Sequence, residues 1–280
     1  MRIAVIPNDR SAQVLALFPT VCDRLRKAGA DVVAIVSEGG MPSSGKIVAA
    51  LKGCAVAVAL GGDGTIMHVA KAAATVGCPV LGINGGHLGF LAGLEQDELD
   101  ALDGLLVGTY SEETRSLLRV TVQKADAEHS FLAMNEAVIS RGALSRLVEL
   151  HIAGNGQEIL SCSGDGAIIA TPTGSTAYSL SAGGPVVDPS VACMLLTPVC
   201  PHTLDSRTRI LPSDSVLTVT ASAADGGEAF ITVDGEENIA FTAADGVTIC
   251  QAEETARLIR LKPTTFYDAL SRKLTDRRTL

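Results

Sequence analysis

"AVAVALGGDGTIMHVAKAAATVG" (residues 55–77) decides the fold. Its first six residues, Ala55–Leu60, are apolar without alternation, which predicts a strand covered on both faces, as in a parallel sheet. "TIMHVAKAAATVG" (65–77) then reads as a helix with a glycine stop. Between them lies Gly61-Gly62-Asp63-Gly64-Thr65, at the strand-to-helix position where open α/β sheets bind ligands. Glycines let the backbone approach an anion, and a helix N-terminus points its amides and dipole at it. The same five residues also read as an ordinary βα turn in which Asp63 or Thr65 caps the helix. On loop composition alone the two readings carry equal weight.

The alternation extends outward. Strands are predicted over 2–8, 31–37 and 79–84, and helices within 14–29, 46–53 and 95–108. Pro19 is expected to kink or restart the first helix and Gly29 to stop it. Beyond residue 108 strand-like segments follow one another, separated by turn residues: 116–123, 131–140, 146–154, 167–173, 194–199, 215–221, 229–235, 246–252 and 256–261. One helix is expected to interrupt them at 174–184. The tail, 264–274, is amphipathic, with Phe266, Tyr267, Leu270 and Leu274 forming an apolar face that needs a partner. The expected fold class is α/β plus all-β. An α/β domain at 1–105 is followed by a β-rich domain at 106–263, and a C-terminal helix in 264–280 packs back on the first.

The 280 residues are 47% hydrophobic, ample for a large core, but only 3% aromatic, so aliphatic side chains must fill it. A net charge of -9 argues against nucleic acid or an anionic membrane as the main partner. The seven cysteines are odd in number and lack C-x-x-C spacing, so they read as buried thiols in a reducing compartment. "MRIAVIPNDR" (1–10) begins like a strand, and no apolar run approaches a membrane span. The expectation is a soluble cytoplasmic protein.

Two other glycine clusters compete with the first. Gly40 to Lys46 has G-x-x-x-x-G-K spacing, but Ile47 stands where a magnesium-binding hydroxyl is required, so it reads as a flexible turn with a solvated lysine. Asn84-Gly85-Gly86-His87-Leu88-Gly89-Phe90 follows a strand end, and there Phe90 and Leu91 could wall a pocket. His87 reads either as a structural loop histidine or as a site residue.

The stretch 162–190 is the most unusual. It carries Gly164-Asp165-Gly166 and then five hydroxyls, Thr171, Thr173, Ser175, Thr176 and Ser179, with Tyr178 and Ser181 among and after them. Hydroxyls at that density need partners when buried, and with an aromatic ring they suit a ligand rich in ribose hydroxyls, amides and adenine. Asn135-Glu136, in an apolar run, is a polar pair of the kind that binds ribose diols.

Together these residues resemble the NAD kinase (ATP-NAD kinase) family. The resemblance runs through Gly61–Thr65, Asn84–Leu91, Asn135-Glu136, Gly164–Gly166, Thr171–Pro185, Pro201–Leu204, Asp234-Gly235 and the C-terminal "FYDAL". The G-G-D-G element alone is shared with diacylglycerol-type lipid kinases and phosphofructokinases, whereas T-P-T-G-S-T-A-Y is specific. The strand pattern beyond residue 108 predicts a β-sandwich-like domain or stacked sheets, and the resemblance implies a Rossmann-like N-terminal domain, a β-rich C-terminal domain that binds NAD, and a homodimer or homotetramer. It implies phosphorylation of the adenosine ribose 2′-hydroxyl of NAD by ATP or polyphosphate, with Mg²⁺ or another divalent cation. Carried over by position, Asp63 would accept the hydroxyl proton, or hold the magnesium, while Gly61, Gly62 and Gly64, with Thr65, form the phosphate loop. Asn135 and Glu136 would hold the ribose; Thr173, Thr176, Ala177, Tyr178 and Ser181 would surround the adenylate half. Asp165 would take the nicotinamide carboxamide, and His87 and Phe90 would close the pocket.

Overall fold

The structure, a computed structural model, describes residues 1–37, 39–86, 89–142, 147–203, 207–223, 228–263 and 265–276. Two compact units form, Met1–Arg115 with Glu254–Leu280, and Ser116–Glu253.

The first unit alternates β1 (Arg2–Pro7), α1 (Ala12–Lys27), β2 (Asp31–Ala34), α2 (Ser44–Leu51), β3 (Val56–Leu60), α3 (Asp63–Ala74), β4 (Val80–Ile83) and the short α4 (Asp103–Val107). Its strands run parallel in the order β2-β1-β3-β4. Every residue of β3 is fully buried, as expected of a strand with helices over both faces. The Rossmann-like reading holds. Pro19 does not break α1: it and Leu15, whose carbonyl it deprives of a partner, are both exposed, so water can serve the freed group. The single helix expected over 95–108 is replaced by a turn, a 3-10 segment at Leu99–Leu102, and α4, which ends on left-handed Gly108. The reason lies in side chains: Glu98 accepts the Glu95 amide (2.9 Å), and Asn84 donates to the Glu95 carboxylate (2.7 Å), which fixes a turn.

The second unit comprises β5 (Ser111–Gln123), β6 (Glu128–Ala133), β7 (Glu136–Arg141), β8 (Val148–Gly154), β9 (Gln157–Gly164), β10 (Gly166–Ala170), α5 (Tyr178–Ser181), β11 (Cys193–Val199), β12 (Arg209–Pro212), β13 (Leu217–Ala223), β14 (Ala229–Val233), β15 (Glu237–Phe241) and β16 (Gly246–Arg260). The ends of β5 and β16 extend into the first unit, and Leu258 of β16 pairs with Val80. One antiparallel sheet runs β12-β11-β10-β7-β14-β15. Strands β9, β8, β13 and β16, with β5 and β6, form the second layer. Val122, Ile139, Ile152, Ile169, Leu196, Ile231 and Ile249 meet in one aliphatic core, a β-sandwich-like arrangement.

Several boundaries differ from expectation. Residues 131–140 are two strands, β6 and β7, that belong to different sheets and part at Met134-Asn135. The segments 246–252 and 256–261 are one long strand, and β9, β12 and β15 were not foreseen. The helix expected at 174–184 shrinks to a 3-10 turn, Thr173–Thr176, plus α5.

The C-terminal helix α6 (Phe266–Asp276) belongs to the first unit, as expected. Thr265 and Asp268 start it, with the Asp268 carboxylate accepting from the Thr265 amide (2.8 Å). Phe266 packs 6.1 Å from Phe90, but Tyr267 is 59% exposed and so does not join the apolar face. The side chain of Leu274 lies outside the described residues. No described helix is long and apolar enough to cross a membrane.

Candidate functional site

In the first unit β1, β3 and β4 end together, and the loops that follow them meet at the N-terminus of α3. Gly61 N–H donates to Ile83 O (3.0 Å), and Asn8 N–H donates to Leu60 O (2.9 Å). The helix cap is Gly62; neither Asp63 nor Thr65 caps it. Thr65 instead accepts from Asn8 Nδ2 (3.0 Å), and a side chain at Gly61 would collide with it, so only glycine fits there.

Asp63 is the first residue of α3, and its carboxylate turns to the loop after β4. Oδ2 accepts from Phe90 N (2.9 Å) and Oδ1 from Leu91 N (3.0 Å). Gly89 lets the loop come this close, since a Cβ there would strike Asp63 Oδ1. Lys273 Nζ, from α6, donates to Oδ2 at 3.2 Å and sits 4.1 Å from the centroid of the Phe90 ring. The same loop is gripped from its carbonyl side by Arg260, which donates to Phe90 O (3.2 Å), Leu91 O (3.3 Å) and Ala92 O. Arg260 also pairs with Glu113 (3.0 Å). Burial alone would raise Glu113, but Arg260 and Arg115 hold it below the usual carboxylate range. A guanidinium on three carbonyls and a carboxylate on two amides together fix residues 89–92 against α3. His87 lies outside the described residues.

The second unit centres on Asp234, which follows β14 with a left-handed backbone (φ 49°). Its carboxylate accepts from Met134 N (2.8 Å), Asn135 N (2.9 Å) and Glu136 N (3.0 Å). Three amides drawn to one carboxylate break the strand expected through Asn135 and turn the chain between sheets. Thr171 locks the turn from the other side: its Oγ1 donates to Met134 O (2.6 Å), and its amide donates to Asn135 O (2.9 Å). A side chain at Gly174 would run into Asn135 O, so that position tolerates none.

The hydroxyl-rich segment divides once its partners are known. Ser175 exchanges bonds with the Val187 backbone (3.1 and 3.0 Å), Ser179 meets Thr197 Oγ1 (2.9 Å), and Thr176 donates to Thr173 O (3.3 Å). With Thr171 these four serve the fold. Thr173 Oγ1 and Glu136 Oε2 are different: among the described residues both are buried with no hydrogen-bond partner. An unpaired buried oxygen is costly, so each of the two would gain from a hydroxyl or amine donor. Burial, with the Asp234 carboxylate adding repulsion, pushes Glu136 up to about 7, partly offset by a bond from the Tyr178 amide. Tyr178 is 45% exposed, Ala177 is half-buried and Ser181 is exposed. Asp165 pairs with Arg141 (2.9 Å), both side chains being partly exposed.

Sequence reasoning missed Lys273, Arg260 and Arg141. None stands in a motif, and each reaches its partner from a distant part of the chain. Asp234 carried a signal, the Asp-Gly turn, but not its role as an amide clamp. Lys46 of the rival glycine cluster is exposed, in keeping with a solvated side chain. Among the described residues no group of three or more His, Cys, Asp or Glu can hold a metal ion.

The family model for the ATP-NAD kinase N-terminal domain matches residues 3–110, and that for the ATP-NAD kinase C-terminal domain matches 134–261. An NAD kinase of Symbiobacterium thermophilum is 40% identical over 283 residues, covering 98% of each chain. The yeast NADH kinase complexed with NADH superposes with TM-score 0.84 at 22% identity, covering 98% of this chain and 87% of the other. An NAD kinase from Archaeoglobus fulgidus in complex with ATP superposes with TM-score 0.73 at 25% identity, covering 98% of this chain and 99% of the other. The chain belongs to the NAD kinase family.

Proposed function

We propose that this enzyme transfers the terminal phosphoryl group of ATP, or of polyphosphate, to the 2′-hydroxyl of the adenosine ribose of NAD, making NADP. The observation that carries the reading is the Asp63 carboxylate, held by two backbone amides at the N-terminus of a helix that follows a glycine loop. Asp63 takes the hydroxyl proton as the oxygen attacks. Amides of Gly62 and Gly64, with Thr65, receive the phosphate oxygens, while Gly61, whose own amide is spent on Ile83 O, lets the loop turn close to Thr65. Phe90, flanked by Phe266 and Lys273, walls the donor side.

In the second unit Glu136 and Asn135 bind the ribose diol, and Thr173 gives its unpaired oxygen to the same ligand. Tyr178 stacks on adenine, with Thr176, Ala177 and Ser181 around it. Asp165, oriented by Arg141, takes the carboxamide. A lipid kinase would want an apolar slot here; unpaired oxygens on Glu136 and Thr173 suit a polyol instead.

Among the described residues the donor set makes no resident metal cage, since one carboxylate already committed to two amides is a poor start for octahedral Mg²⁺. A divalent ion would instead accompany the phosphate donor and would supply neutralisation of its charge. The working assembly is a homodimer or homotetramer, and the compartment the cytoplasm.

The test couples NADP formation from NAD, Mg²⁺ and either donor to an NADP-specific dehydrogenase. Asp63→Asn should lower kcat by roughly 10²–10⁴ and change NAD affinity by less than about tenfold. Its amide NH₂ must face one of the two loop amides, so a stability loss of about 1–3 kcal/mol accompanies it. Wild-type turnover in the folded variant would remove Asp63 from the mechanism.

A further inference from the structure

We propose that Lys273 is a further catalytic residue: the cation of α6 that occupies Asp63 before substrate arrives and then moves onto the phosphoryl group in transit. The inference rests on Asp63 being the proton acceptor. The glycine loop 61–65 contains no cation of its own. Among the described residues α6 supplies one, 3.2 Å from Asp63 Oδ2.

Three features make this placement more than a surface ion pair. Lys273 is largely covered, 28% exposed at its side chain, and its partner is 32% exposed. Its ammonium lies 4.1 Å from the Phe90 centroid, and Phe90 in turn packs on Phe266 of the same helix. Phe266 and Lys273 are seven residues apart, two helical turns, so one face of α6 delivers both. The Thr265–Asp268 cap fixes where that helix begins and hence its phase (2.8 Å from Thr265 N to Asp268 Oδ2).

The three bonds to Asp63 are not equivalent. Phe90 N and Leu91 N belong to a loop gripped by Arg260 and cannot leave without unmaking it. Lys273 hangs on a flexible four-carbon stem and is the donor that can leave. A hydroxyl arriving at Oδ2 displaces it. The hydroxyl proton then passes to Asp63, the oxygen bonds to the terminal phosphorus, and the bond from that phosphorus to the bridging oxygen breaks, leaving its electron pair on the departing phosphate. Lys273 keeps its proton throughout. It stabilises the negative charge that gathers on the equatorial oxygens, and it returns to Asp63 after release.

The experiment compares Lys273→Met, Lys273→Arg and Lys273→Ala in the NADP assay, with circular dichroism and NAD binding on each preparation. Lys273→Met keeps a stem over Phe90 and removes the charge. Its kcat should fall by about 10²-fold, with NAD KM within about threefold. Lys273→Arg should keep most activity, and Lys273→Ala should regain turnover saturably with added ethylammonium. A structural role would show no rescue by a small cation. Folded Lys273→Met with wild-type kcat, or a loss in Lys273→Ala that ethylammonium leaves untouched, overturns the proposal. Absence of NADP from the wild-type enzyme would instead overturn the reading of Asp63 on which it rests.

Discussion

Replacing Glu136 by Gln should make the protein more stable, and by an amount that grows with pH. Glu136 is 8% exposed, its Oε2 has no partner, and the Asp234 carboxylate lies beside it. Burial first, and that neighbour second, push it from the ordinary 4.5 to about 7. A carboxyl raised in the native state costs nothing while both states are protonated, below the unfolded value. Stability is then lost as pH climbs from there through the native value, because the unfolded chain releases its proton first. Above about 7 the cost is complete: 2.5 pH units at about 1.36 kcal/mol each, about 3 kcal/mol. At pH 5.0 it is about 1 kcal/mol. Gln can still accept the Tyr178 amide and can turn its NH₂ toward Asp234, so it creates no new unpaired acceptor. Urea unfolding of both proteins at pH 5.0 and 8.5 measures the two differences. Glu136→Gln should gain about 2–3 kcal/mol more, relative to wild type, at pH 8.5 than at 5.0. Equal differences at the two pH values would refute the argument, since they would mean that Glu136 is charged or neutral in both states alike.

Other changes test neighbouring parts. Tyr178→Ala should raise NAD KM more than it lowers kcat, because an exposed ring stacked on a base gives uniform binding of about 1–3 kcal/mol; steady-state kinetics reads the split, and a collapsed kcat at unchanged KM would contradict it. Lys46→Ala should stay within about threefold of wild-type turnover, since an exposed charge is worth on the order of 1 kcal/mol or less; a thousandfold loss would mean that the rival glycine cluster holds the phosphates. Gly174→Ala must push the Asn135 carbonyl aside, costing about 1–3 kcal/mol in a thermal melt; a melt unchanged from wild type would mean that the turn yields freely.

The parallel sheet and the place of its ligand loop were legible because they depend on local information. Val56–Leu60 are apolar at every position, which only a doubly covered strand requires, and glycines mark the turn beyond it. The hydrophobic pattern likewise announced a sandwich built from aliphatic side chains. Fine boundaries were not legible where a distant side chain overrides local pattern. Nothing near residue 135 says that a strand must break there; the cause is a carboxylate about a hundred positions away, at Asp234, which collects three amides. Residue type alone also made all five hydroxyls look available. Only packing separated Thr171, Ser175, Thr176 and Ser179, which find partners within the fold, from Thr173, which does not. The acid in the glycine loop was visible in the sequence, but the company it keeps was not. Leu91 N, Phe90 N and Lys273 reach Asp63 from 28, 27 and 210 residues away, and contacts at such separations exist only once the chain has closed. Local propensity writes elements into sequence, whereas a site is made of directional bonds between elements, and these are settled by the tertiary fold.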